Sequence, residues 1–180
     1  MIFEKTAFEG LVLIKPHVFE DSRGAFFESY NQRLFSENGI NDVFVQDNQS
    51  FSTKNVLRGI HFQIPPFAQS KLVRVNTGAV IDVALDLRKE SKTFGKHFKI
   101  KLTEQNKFML YIPKGFGHAF LSLSDNTVFN YKCDALYNKE CERSIFWNDA
   151  TLNIDWGIQN PLLSDKDKIA PLFNEFVSPF

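Results

Sequence analysis

Apolar residues recur along this chain in short runs separated by Gly, Pro, Asn and Asp, seldom at the three-and-four spacing of an amphipathic helix. The pattern predicts strands at Leu11–Ile14, Ala25–Tyr30, Val43–Ser50, Val56–Gln63, Lys71–Asn76, Val80–Leu87, His97–Leu102, Phe108–Ile112, Ala119–Leu123, Val128–Cys133 and Ser144–Trp147. Short strands at such regular spacing mark an all-β sandwich or barrel. His97-Phe98-Lys99-Ile100-Lys101-Leu102 alternates strictly, so one face is wet and the other buried. Val80-Ile81-Asp82-Val83-Ala84-Leu85 is almost continuously apolar and reads as a central strand. Helices are few. Asn31 and Gly39 bracket about two turns, and Ser164 is placed to cap a second short helix.

Composition narrows the function. The 180 residues suit one domain spanning 1–180, and 21 Lys+Arg balance 21 Asp+Glu. Zero net charge argues against a nucleic-acid or anionic-membrane partner held by bulk charge, while leaving room for a local cationic pocket. No apolar run approaches the ~18 residues of a membrane span. Two cysteines, Cys133 and Cys141, are too few for a disulfide framework or a zinc site. The segment Met1–Lys5 has no apolar signal-peptide region, so the cytoplasm is the expected home. The 20 Phe, against 4 Tyr and 2 Trp, are expected to fill a wide barrel interior.

Candidate chemistry lies where polar residues occupy positions that should be apolar. In Phe44–Ser50, the face that carries Phe44 also carries Gln46, Asn48 and Ser50. That is either a polar-lined interior, which needs partners for those groups, or an exposed edge strand. Leu57-Arg58-Gly59-Ile60-His61-Phe62-Gln63 sets an Arg and a His three apart. Strict alternation puts them on opposite faces, and a bulge at Gly59 would re-aim one. Gln69, Lys71 and Val73 share a face of the next strand, bringing a cation near a possible base. Pro113-Lys114-Gly115-Phe116-Gly117-His118 is a tight turn leading to a second His. Tyr131 shares its face with Phe129 and Cys133, as a core tyrosine with a bonded hydroxyl would. Arg23, in the turn Asp21–Gly24, and Asp167, in the run Asp165–Lys168, read by themselves as solvated charges.

Taken in order, these segments resemble the dTDP-4-dehydrorhamnose 3,5-epimerase family over nearly the whole chain. The resemblance rests on Asp21–Gly24, Val45–Asn48, Leu57–Gln63, Gln69–Val73, Asp82–Arg88, Ile112–His118, Tyr131, Trp147–Asp149 and Leu163–Asp167. It implies an all-β, cupin-like jelly-roll barrel with a few short helices, a homodimer, and dTDP-4-dehydro-6-deoxy-D-glucose as substrate. It further implies His61 as base, Asp167 as the partner orienting the ring, Lys71 as the charge stabilising an enolate, and Tyr131 as the acid on the opposite face. Histidine suits the first role, because an imidazole titrating near ~6.5 is mostly neutral at pH 7. Arg23 and Arg58 resemble the diphosphate ligands, and Tyr137 the residue that stacks on thymine. Phe26, Glu28, Gln46, Asp47, Asn48, His118, Glu142 and Lys166 fall at other substrate-contacting positions.

Two departures stand out. Arg143 follows Glu142 where the family tends to be small, so the local loop is expected to differ, and Ala119-Phe120 replaces Gly-Phe. Many cupins bind a metal through a His-x-His pair, but here Gln63 stands two residues after His61. One His and one Gln make a poor transition-metal site, so no metal and no cofactor are expected. A relative inverting only C3 or only C5 would share the same catalytic set. A non-catalytic sugar-nucleotide-binding cupin would lack the base or the acid, and both are present.

Overall fold

The computed structural model describes residues 1–180. Its strands are β1 (Ile2–Lys5), β2 (Val12–Lys15), β3 (Phe19–Asp21), β4 (Gly24–Phe26), β5 (Gln46–Ser52), β6 (Leu57–Gln63), β7 (Lys71–Thr77), β8 (Ala79–Asp86), β9 (His97–Thr103), β10 (Met109–Ile112), β11 (Phe116–Ser122), β12 (Thr127–Cys133) and β13 (Glu142–Ser144). Two antiparallel sheets carry most of them, in the orders β1-β2-β10-β7-β12-β5 and β13-β6-β11-β8-β9. They enclose the expected jelly-roll barrel. The strand Val80–Leu85 belongs to β8, flanked by β11 and β9 and buried over most of its length. Strand β9 lies at the sheet's edge, with Lys99 and Lys101 exposed and Leu102 buried, as its alternation requires.

Both short helices form where their caps stand. In α1 (Gln32–Glu37) the Asn31 side chain accepts from the Leu34 amide, and in α2 (Asp165–Lys168) the Ser164 hydroxyl accepts from the Asp167 amide. Helix α1 buries Phe35 on the outside of the first sheet with Ile14, Ile40, Leu72, Met109 and Tyr111. Inside the barrel lie Val73, Val75, Leu102, Leu110, Phe116, Phe120 and Phe129, with the last two rings stacked at 4.2 Å. Outside the second sheet, Leu57, Ile60 and Phe62 pack with Trp147, Trp156 and the C-terminal phenylalanines. The phenylalanines are thus divided among all three layers, not gathered in the barrel. Each fully buried Leu, Ile or Phe contributes ~1.5–3 kcal/mol.

The differences from the sequence pattern are local. The strand expected at Ala25–Tyr30 ends at Phe26 and pairs only with Phe19–Asp21, a run too polar to register as a strand. The strand expected from Val43 begins at Gln46, and Val43 and Val45 stay exposed. At Ser144–Trp147 the strand ends at Ser144, and Ile145 and Trp147 enter the core as loop residues. Strand β1, not expected from the pattern, is held by Phe3 edge-on against Phe35 at 5.2 Å.

Candidate active site

Strand β6 explains how Arg58 and His61 come to one side. Against β11, His61 pairs with His118 and Arg58 with Phe120, so β6 carries one extra residue between them. The bulge sits at Gly59, whose φ is 127°. A Cβ there would lie 2.4 Å from Ala119 Cβ and 2.6 Å from the His118 carbonyl, so only glycine fits. Beyond the bulge, Leu57, Ile60 and Phe62 face the outer core while Arg58, His61 and Gln63 face inward.

Inward is a cavity of about 530 Å³ between the sheets. The second sheet lines it with Arg58, His61, Gln63, His118, Phe120 and Glu142; the first contributes Lys71, Tyr131 and the inner row Gln46, Asn48 and Ser50. Strand β5 therefore satisfies both readings of its pattern. It is an edge strand, and its half-buried row lines the cavity. Helix α2 closes one side with Asp167, and Tyr137 stands at the mouth. His61 and Tyr131, on opposite sheets, meet across this space.

His61 Nε2 and Asp167 Oδ1 lie 2.5 Å apart, with the imidazole 30% exposed and the carboxylate 2%. Burial opposes ionisation of Asp167. The bonds from His61, the Ser164 hydroxyl and the Gly59 amide outweigh it and hold the carboxyl below its ordinary range. The buried His118 bonds Asp82 Oδ2 at 2.9 Å. Burial lowers its pKa, although Asp82 pulls the other way, so the ring is neutral at pH 7. Lys71 Nζ reaches the His61 carbonyl at 3.5 Å, lies 5.8 Å from the centre of the Tyr131 ring, and has no carboxylate within ion-pair distance. Burial lowers the Lys71 pKa and raises that of Tyr131, which keeps the phenol protonated at neutral pH. Glu142 pairs with Lys166 at 2.5 Å and accepts from the Tyr137 hydroxyl at 3.1 Å. Burial works against its charge, but Lys166 prevails and holds it ionised. Arg58 is anchored by the Ser52 hydroxyl and the Phe51 carbonyl, leaving its guanidinium without a carboxylate partner.

Five expected residues do not line the cavity: Lys166, on α2, reaches it only through its pair with Glu142, and the other four lie elsewhere. Arg23, Phe26 and Glu28 belong to the β3–β4 hairpin and its exit, all exposed, with Arg23 paired to Asp21 at 2.7 Å. Asp47 alternates with Gln46 and Asn48 and so points to the outer face, where Lys132 holds it at 2.7 Å. Arg143 also turns outward, donating to the carbonyls of Glu140 and Glu142, and does not line the cavity. Ala119 packs against Gly59 at the bulge. Sequence reasoning overlooked Asp82, although a charge inside a central strand is itself a signal of a paired group. It also read Gln63 only as a missing metal ligand. The Gln63 amide donates to the Phe67 and Leu136 carbonyls, and no group of three His, Cys, Asp or Glu side chains is placed to hold a metal ion.

Comparison with known proteins identifies the family to which this barrel belongs. The family model for dTDP-4-dehydrorhamnose 3,5-epimerase matches residues 5–175. The chain is 52% identical over 164 residues to the dTDP-4-dehydrorhamnose 3,5-epimerase of Shigella flexneri, covering 91% of each protein. The crystal structure of the Elizabethkingia anophelis enzyme superposes with a TM-score of 0.93 at 49% identity, covering 97% of each chain. The Legionella pneumophila enzyme, solved with dTDP-4-keto-L-rhamnose, gives 0.92 at 44% identity over 96% of this chain and 93% of that one. An inward-facing histidine paired with a buried carboxylate, a lysine and a tyrosine opposite are thus carried on the family's own barrel, and the chain belongs to the dTDP-4-dehydrorhamnose 3,5-epimerase family, an isomerase-class epimerase.

Proposed function

We propose that the cavity inverts C3 and C5 of dTDP-4-dehydro-6-deoxy-D-glucose, giving dTDP-4-dehydro-L-rhamnose. The observation that carries the reading is the placement of His61 with Asp167 on one wall and Tyr131 on the other, with Lys71 beside both. The C4 ketone acidifies the hydrogens on C3 and C5. His61 removes one as general base, and the Asp167 carboxylate orients the ring and stabilises the imidazolium that forms. Lys71 stabilises the developing enolate oxygen with a positive charge that no carboxylate neutralises. Tyr131, held protonated by burial, returns a proton from the opposite ring face, which is what inversion requires. Arg58 offers a free guanidinium to the diphosphate, and Tyr137 and Glu142 stand at the mouth where the nucleoside would enter.

The reading includes a homodimer. The β3–β4 hairpin pairs only with itself and exposes Phe19 at 59% and Phe26 at 69%. Arg23, Phe26 and Glu28 serve the site by reaching into the cavity of a second copy. If so, mixing inactive His61→Ala with inactive Arg23→Ala protein restores activity, since the hybrid has one intact site; no recovery on mixing would count against the shared site. The two free cysteines, Cys133 and Cys141, suit a reducing compartment such as the cytoplasm.

Proton NMR of the substrate in deuterated water tests the reaction. Deuterium at both C3 and C5 is the expected result. Label at one carbon only would make the protein a mono-epimerase, and no exchange with dTDP still bound would make it a binding module.

A further inference from the structure

The loop Ala135–Asn138, which carries Tyr137, is gripped by three glutamines of the cavity wall. The Gln69 amide donates to the Ala135 carbonyl at 2.7 Å, and the Gln63 amide donates to the Leu136 carbonyl at 3.2 Å. The Tyr137 amide donates to Gln46 Oε1 at 2.8 Å, and the Asn138 amide to Gln63 Oε1 at 2.6 Å. Gln63 is 4% exposed, and its second amide hydrogen bonds the Phe67 carbonyl at 2.7 Å. The Gln46 amide is likewise engaged by Asn48 at 3.1 Å. The loop's own side chains add the Tyr137 hydroxyl bond to Glu142 at 3.1 Å and the bonds that Asn138 Oδ1 accepts from the Glu140 and Cys141 amides, while Leu136 and Tyr137 stay 59% and 55% exposed. Four consecutive residues are therefore fixed through their backbone by side chains from β5, β6 and the approach to β7.

We propose that Gln63, with Gln69, is a positioning residue for nucleotide recognition: it holds Ala135–Asn138 so that the Tyr137 ring stands at the cavity mouth before ligand arrives. This rests on the reading of Tyr137 as the base-stacking residue. A ring already placed loses less freedom on binding, so the clamp acts on affinity for the base and leaves proton transfer at His61 and Tyr131 alone. It also accounts for a glutamine two residues after the base. Gln63 offers two donors and an acceptor along one short side chain, and the Phe67 carbonyl, the Leu136 carbonyl and the Asn138 amide take them up.

The test is affinity for dTDP and for pyrophosphate, with steady-state kinetics, on Gln63→Met, Gln69→Met, Tyr137→Ala and the Gln63→Met/Tyr137→Ala double variant. Gln63→Met is expected to weaken dTDP about tenfold and raise KM alike, with pyrophosphate affinity and kcat within about twofold. Added to Tyr137→Ala it should cost nothing more, because the ring it positions is gone. Equal losses for dTDP and pyrophosphate, a fall in kcat with KM unchanged, or additive losses in the double variant would overturn the proposal. If Gln63→Met does not fold, Gln69→Met carries the same expectation at a half-buried position. If Tyr137→Ala leaves dTDP affinity unchanged, the stacking reading itself fails, and the clamp's role in recognition with it.

Discussion

Two histidine–carboxylate pairs stand side by side in this barrel, His61 with Asp167 and His118 with Asp82, the two rings directly opposite each other on β6 and β11. Their chemistry is the same and their settings are not. The His61 imidazole is 30% exposed to the cavity, and its carboxylate comes from a four-residue helix far along the chain, bonded also by the Ser164 hydroxyl and the Gly59 amide. The His118 imidazole is 8% exposed, and Asp82 sits within a core strand with its Oδ1 lacking any partner. A proton arriving on His61 meets a well-supported counter-charge beside open space. One arriving on His118 would have to be carried in a buried site, where burial already favours the neutral ring. The difference teaches that pairing alone does not make a base; access and a satisfied carboxylate do.

The largest expected effect comes from removing the open pair. His61→Ala should lower kcat by ~10³-fold or more, near the upper range for a lost general base, with dTDP affinity nearly intact. Near-normal turnover in that variant would reassign the base. Tyr131→Phe should reduce product by ~10²-fold while solvent deuterium exchange at the sugar persists, since it removes the returning proton and not the base. Loss of exchange in step with product would place Tyr131 before proton abstraction.

Replacing each carboxylate sharpens the contrast. Asp167→Asn should cost ~10²-fold in kcat, and Asp82→Asn only ~10-fold, through the placement of His118. Equal losses would mean that both pairs carry protons. The acid limb has a definite sign as well. Asp167 is more acidic folded than unfolded, so its ionised carboxylate stabilises the protein above the unfolded pKa, and that contribution is lost as pH falls through the lower folded value.

A control away from both pairs gives the smallest effect on turnover. Asp86 is buried and bonded by Arg88, Ser91 and Thr93, which outweigh its burial and bring its pKa to about 2. Its stabilisation is present above ~4 and is lost as pH falls towards about 2. Asp86→Asn should lower unfolding free energy by ~2 kcal/mol in a denaturant titration and leave kcat within twofold. A larger change in kcat than in stability would join this loop to the site.

Much of the fold could be read along the chain because its signals are local. Both helix caps, Asn31 and Ser164, lie within three residues of the amides they serve, and a strand such as His97–Thr103 declares its faces by alternation. The weak signals were those whose partner is distant. Phe19–Asp21 becomes a strand only because Gly24–Phe26 folds back on it, and Ile2–Lys5 because it pairs with Val12–Lys15 while Phe3 packs on Phe35. The site divides the same way. A bulge at Gly59 was legible from Arg58 and His61 lying three apart, but the reason for it, the His118 carbonyl and Ala119 pressed against Gly59, belongs to another strand.

By itself, then, the sequence determined the all-β class, the short helices and the residue types of an acid–base site, because periodicity, capping and side-chain chemistry act over a few residues. Only the tertiary structure decided that His61 and Tyr131 face each other across one cavity, that Asp47 looks away from it, and that Asp82 stands behind His118. It also decided that the hairpin bearing Arg23 lies outside its own chain's cavity. Those relations follow from sheet pairing, from register and from the docking of α2 on β6, between segments as many as 106 residues apart, as His61 and Asp167 are, and no local pattern encodes such a distance.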